Sequence, residues 1–145
     1  MKFLNALQPL VLLVLRLALA LVFVYHGYPK LVRADANMHE FFLQHGFPSY
    51  FVGLAGILEC LGGGLLVIGL FTRPVALLLA IEMGIVIWKV KSGHGVMAVN
   101  DYQLELALGA ASAALATVGA GMLSLDHLIF GEDSKKRRST KSSKD

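Results

Sequence analysis

Four stretches of the chain are apolar for long enough to cross a bilayer: residues 10–28, 50–70, 74–90 and 102–123. Crossing ~30 Å of hydrocarbon at a rise of 1.5 Å per residue takes roughly 20 mostly apolar residues. A helix satisfies all its main-chain groups internally, so the pattern predicts an all-α fold, a four-transmembrane-helix antiparallel bundle. The second and third stretches are joined by Gly69-Leu70-Phe71-Thr72-Arg73-Pro74. Gly69 can end one helix, Thr72 can cap the next, and Pro74 suits an early helical position that has no hydrogen bond to make. So short a connection forces an antiparallel pair.

Between the first two stretches lies the longest loop, residues 31–49. Asn37-Met38-His39-Glu40 reads there as a capping box, with Met38, Phe41 and Phe42 on one side of a short helix that Gly46 can end. An interfacial helix is expected, lying on the outer leaflet or over the bundle mouth. The plainer alternative is a loop helix that seals the core. The outer loop 91–101 is Gly-rich, and residues 132–145 are polar, basic and Ser-rich without an apolar period. The chain therefore divides into a membrane domain, 1–131, and a disordered basic tail, 132–145, suited to anionic lipid head groups.

Composition agrees. Mean hydropathy is +0.65 and only 16% of residues are charged, against about 25% in soluble domains. Lys2, an apolar run and Ala18-x-Ala20 loosely fit a signal peptide, but Arg16 interrupts the run, which continues to Tyr25. The segment reads as an uncleaved first span. On one side of a four-span topology lie Lys2, Arg73, Lys135, Lys136, Arg137, Arg138, Lys141 and Lys144; on the other lie Lys30, Arg33, Lys89 and Lys91. The positive-inside rule then makes both termini cytoplasmic. Cys60 is the single cysteine, which excludes an internal disulfide or a Cys-x-x-Cys redox pair. Gly62-Gly63-Gly64 lies mid-span and follows no strand, so it reads as packing. The basic tail lacks interleaved aromatics, so no nucleic-acid partner is expected.

The informative residues are the charges inside the apolar stretches. Glu59 shares a helical face with Val52, Ala55, Gly56, Gly62, Gly63 and Leu66, mostly small residues that let another helix come close. Arg16, Glu82 and Glu105 each lie on another span. Counting the rise from the expected cytoplasmic ends gives Arg16 ~9 Å, Glu82 ~12 Å, Glu59 ~15 Å and Glu105 ~27 Å of depth, with His26 near ~24 Å. Arg16, Glu59 and Glu82 should thus meet in one layer, with His26, Glu105 and Lys89 in a second. A lone charge at a helix centre costs about 2.5–3.5 kcal/mol, which mutual pairing offsets. One guanidinium facing two carboxyls leaves a cation missing, so one of Glu59 and Glu82 is expected to hold a proton. The candidate proton carriers are Glu59 and Glu105; the candidate substrate contacts are Arg16, His26, Glu82 and Tyr102. A purely structural Arg–Glu pair that fixes helix register is the competing reading. No metal is expected: His26, His39, His45 and His94 lack ligand spacing, and only His26 lies clearly within a span, so a bis-His haem is disfavoured.

These residues also form motifs. Arg16-Leu17, Tyr25-His26-Gly27 and Lys30-Leu31 resemble the first helix of the DoxX family of small bacterial membrane proteins. Gly46-Phe47-Pro48, Gly56-Ile57-Leu58-Glu59-Cys60-Leu61-Gly62-Gly63 and Gly69-Leu70-Phe71-Thr72-Arg73 are similar to its second helix and turn. Asp101-Tyr102-Gln103-Leu104-Glu105 and Leu123-Ser124-Leu125-Asp126 resemble its fourth helix and exit. The resemblance, over residues 10–130, implies a four-helix bundle in the bacterial inner membrane and an association with quinone-linked oxidoreductases. On it rests the expectation of an integral subunit of a quinone-linked redox or respiratory complex. Such a subunit would have no covalent cofactor, would bind quinone at the Arg/Glu/His cluster, and would take electrons from a partner protein. Other membrane redox subunits or further copies of the chain are the expected partners, besides lipid. Two alternatives stand beside it: a non-catalytic scaffold that binds other transmembrane helices, and a small transporter or proton pathway.

Overall fold

The computed structural model describes residues 2–33, 35–91 and 99–129. The expected tail, 132–145, lies outside the described residues, as does most of the outer loop, including His94. Among the described residues the fold is all-helical: α1 (Lys2–Val32), α2 (Ala36–Gln44), α3 (Phe51–Ile68), α4 (Thr72–Val86) and α5 (Val99–Val118). Two helical segments, Ala6–Val32 of α1 and Phe51–Ile68, are long and apolar enough to cross a membrane.

α1 packs along α3 and α4 along α5. The first contact depends on missing side chains. A Cβ on Gly27 would stand 2.7 Å from the Cβ of Glu59, and one on Gly63 would stand 2.7 Å from Val24 Cγ2. The small-residue face around Glu59 is therefore a helix–helix contact, made with α1. Gly62, on the neighbouring flank, faces Leu79 and Val75 of α4, where a Cβ would meet them at 3.3 and 3.4 Å. Leu19, Phe23, Leu66, Leu79, Met83 and Leu115 fill the space between the helices.

The helix ends depart from the sequence pattern in instructive ways. α1 starts at Lys2 and not near residue 10. α2 is capped by Asp35, whose side chain accepts from the Met38 N–H. The expected cap was Asn37. Asp35 meets the same N3 geometry and adds a full negative charge to the positive helix end, while Glu40 accepts from Gln44 Nε2. Gly69 ends α3 in the left-handed region, φ +70°. Thr72, the expected cap of α4, is its first helical residue. The cap position belongs to Phe71, at φ +51°, a conformation that a bulky side chain rarely adopts. Asp126 holds it: its two carboxylate oxygens accept from the Phe71 N–H at 2.7 Å and the Thr72 N–H at 2.8 Å. α4 continues past Val86 as a π-helical turn, Ile87–Lys91. α5 stops at Val118, short of the expected residue 123, because Gly119 and Gly121 turn left-handed at φ +89° and +77°. A further helical turn follows over residues 125–129.

Candidate functional site

The buried charges do pair, but not with the partners that depth along the helices suggested. Glu59, 2% exposed in the middle of α3, receives Lys30. The Lys30 ammonium donates to both carboxylate oxygens at 2.7 Å. Lys30 stands in the last turn of α1 and reaches back toward α3 across Gly27 and Gly56. A Cβ on Gly56 would lie 3.0 Å from the Cβ of Lys30, so both glycines are needed for the ammonium to reach the carboxylate.

Arg16 corrects the expected midplane layer. Its guanidinium donates four hydrogen bonds to main-chain carbonyls: Leu66 (3.0 Å), Val67 (3.0 Å), Ala120 (2.9 Å) and Leu123 (2.8 Å). Leu66 and Val67 lie some 11 Å along α3 from Glu59. The expected depth failed because it took Leu10 as level with Gly69, whereas α1 runs on past the α3–α4 turn down to Lys2, so that Arg16 itself stands level with the last turn of α3, beside Gly69. There the cation meets the carbonyl end of a helix, the negative end of its dipole. Asp126, which caps α4, lies within electrostatic range of Arg16. The arrangement is a brace across α1, α3 and the segment after α5.

Above the Gly62–Leu79 contact, α3 and α4 bound a cleft of about 430 Å³. Phe41, Phe42, Phe47 and Phe51 line its α2 end, and their rings touch in sequence: Phe41–Phe42 centroids 6.1 Å apart, Phe42–Phe47 5.9 Å and Phe47–Phe51 5.4 Å. Leu58, Leu78 and Ile81 form apolar wall. Four polar side chains reach it: Lys30, His45, Glu82 and Glu105. Glu82 Oε2 is buried and has no hydrogen-bond partner among the described residues. A buried carboxyl oxygen without a partner is costly, and a ligand that accepted a hydrogen bond from the protonated carboxyl, or donated one to the carboxylate, would remove that cost. Lys89, on the π-helical turn, places its ammonium 5.0 Å over the Phe47 ring, tying α4 to the loop after α2 by a cation–π contact.

Of the residues singled out in the sequence, the structure brings Glu82 and Glu105 into this cleft and keeps Glu59 beside it through Lys30. Tyr102 sits half-buried near the start of α5 and does not line it. His26 is exposed on α1. Its Nδ1 hydrogen-bonds the Val22 carbonyl at 2.8 Å and its ring packs edge-on against Tyr25. It lies within electrostatic range of Glu59 but not in the cleft. Lys30, His45 and the phenylalanines were missed. Gly46-Phe47-Pro48 flanked by aromatics was the available signal, since small-molecule sites are mostly aromatic and apolar with a few convergent polar groups. No group of three or more His, Cys, Asp or Glu among the described residues is disposed to hold a metal.

The DoxX family model matches residues 11–92, which hold most of α1 and all of α2 to α4, the Lys30–Glu59 pair and most of the cleft wall. The chain belongs to the DoxX family. It is 32% identical over 120 residues to the Bacillus subtilis (strain 168) protein named "Putative oxidoreductase CatD", covering 81% of this chain and 86% of that one. It is 27% identical over 130 residues to the "Inner membrane protein YphA" of Escherichia coli (strain K12), covering 84% and 92%. A Haemophilus influenzae protein is 37% identical over 76 residues, about half of each chain at 52% and 55%. No solved structure matches. As a DoxX protein the chain is a bacterial membrane protein, in keeping with the exposed Leu, Val and Ile side chains along α1, α3 and α4.

Proposed function

We propose that this DoxX protein is an integral membrane subunit of a quinone-linked redox complex, and that the cleft under α2 receives the quinone headgroup. The observation that carries the reading is the partnerless buried oxygen of Glu82 in a cleft roofed by four phenylalanines. A quinone ring is flat and apolar on its faces, with a carbonyl acceptor at opposite edges. Stacking on aromatic rings is worth about 0.5–1.5 kcal/mol beyond area burial. A protonated Glu82 or the Lys30 ammonium can donate to a carbonyl oxygen. Reduction to the quinol consumes two electrons and two protons. The electrons come from a partner protein, and the carboxyls of Glu82 and Glu105 are the groups in reach to pass the protons. Glu59 touches no ligand in this scheme; it fixes where Lys30 points.

The same proposal has four crossings of the inner membrane, with both termini cytoplasmic. α4 and its π-helical turn together run from Thr72 to Lys91, long enough to span. Tyr25, Tyr28, Tyr50 and Trp88 are all exposed toward the α2 end, where an interfacial aromatic belt belongs, and α2 then lies in the outer interface.

Organic extraction of protein purified from native membranes is the test. Stoichiometric quinone in the wild type and less than a tenth of it in Glu82→Leu supports the reading. Co-purifying redox subunits with no quinone would replace it by the scaffold reading, and proton flux in liposomes by the transport one.

A further inference from the structure

We infer that the cleft is loaded sideways from the bilayer through the gap between α3 and α4, and so takes a ring carrying a long apolar tail. The inference rests on the quinone reading and adds a tail and a route to it.

Both follow from the walls. α3 and α4 touch near their shared turn, at Gly62, Val75 and Leu79, and above that point the cleft lies between them. The side chains at its α3–α4 edge are apolar and exposed: Leu54 on α3, and Leu78, Ile81 and Ile85 on α4. In a membrane that edge faces acyl chains and not water. On the α2 side the way is obstructed by the touching rings of Phe41, Phe42, Phe47 and Phe51, and by His45, whose ring centroid lies 4.4 Å from that of Phe41. The polar atoms Lys30 Nζ and Glu82 Oε2 lie inward of the edge, so an amphiphile arriving from lipid meets them ring first and leaves its tail between Leu54 and Ile81. Leaving the tail there costs little, because one apolar surface replaces another. The Lys89–Phe47 contact fastens the aromatic roof to the end of α4, which keeps the α2 side closed and leaves the lateral edge as the way in.

Protein in lipid nanodiscs, exposed to two photoreactive benzoquinones, provides the test. One probe carries its diazirine beside the ring and the other carries it midway along a ten-carbon tail. The expected result is saturable ring labelling within residues 41–51 and tail labelling around Leu54, Leu78 and Ile81. In Ile81→Trp, and independently in Leu54→Trp on the facing wall, the exchange rate of the tailed quinone relative to a tailless one should fall at least tenfold. Ring labelling retained with tail labels on the outer faces of α1 or α5, or an unchanged exchange ratio in both Trp variants, overturns the lateral route and leaves the quinone reading standing. Absence of saturable ring labelling in the wild type removes the quinone reading, and the route with it.

Discussion

Replacing Arg16 by Met tests the brace. The wild-type guanidinium serves four carbonyls, two from the last turn of α3 and two from the segment that follows α5. Polar contacts between membrane helices average about 0.6 kcal/mol in double-mutant cycles, which gives ~2.4 kcal/mol for four. Hydrogen bonds to a charged donor are stronger, about 1.5–3 kcal/mol each in water-soluble proteins, but carbonyls near a helix end can regain water once the cation is gone. The two considerations bracket a loss of about 2–4 kcal/mol for Arg16→Met. Arg16→Lys keeps the charge but loses the planar fork that spans four acceptors, and about half the loss should return. Reversible unfolding in mixed dodecylmaltoside–SDS micelles measures both. Quinone content per folded molecule should not change, since Arg16 is remote from the cleft. A loss below about 0.5 kcal/mol in Arg16→Met, within the scatter of an ordinary surface substitution, would refute the assignment of Arg16 as a brace.

Three further outcomes follow from the packing. Lys30→Met leaves Glu59 buried without its cation and should cost about 3 kcal/mol, at the low end for a broken buried pair because Lys30 keeps 21% side-chain exposure; Lys30→Met with Glu59→Leu should recover most of it in the same unfolding assay. Asp126→Ala removes the acceptor of two N–H groups at the start of α4 and should cost about 1–2 kcal/mol, with Asp126→Asn in between. Gly63→Ala, whose Cβ would lie 2.7 Å from Val24 Cγ2 and 3.0 Å from the Ala20 carbonyl, should lose about 1–3 kcal/mol. Gly64→Ala has nothing within 4 Å and should be neutral or slightly stabilising; equal thermal shifts for the two would contradict the α1–α3 contact.

Helical character was legible because it depends on local periodicity. The Gly69 stop and the small-residue face of α3 could be read residue by residue, and the family resemblance is borne out by the family match over residues 11–92. The partners of the charges were not legible. Pairing depends on the relative slide of two helices, and α1 extends below the α3–α4 turn, so Arg16 faces Gly69 at the end of α3 and Lys30 faces Glu59 in its place. Lys30 looked like a loop charge because it follows Pro29, yet its four-carbon stem reaches back over Gly27 and Gly56. The cleft was invisible for a related reason. It arises from where α3 and α4 separate, which no single helix encodes. Asp126 was seen only as part of a closing motif; that its carboxylate holds Phe71 in a left-handed turn 55 residues earlier is a tertiary fact.

That distant cap bears on the order of assembly. Asp126 also donates its own N–H to the Gly69 carbonyl at 2.9 Å, so the α3–α4 hairpin bend is finished by residues that the ribosome delivers only after α5. Until they emerge, the bend has a strained Phe71 with two unmet donors, and the Arg16 guanidinium lacks two of its four acceptors. Insertion of the helices and closure of the bundle are thereby separated in time. A nascent chain released before Asp126 would have its helices but an unlatched bend, a ready substrate for quality-control proteases.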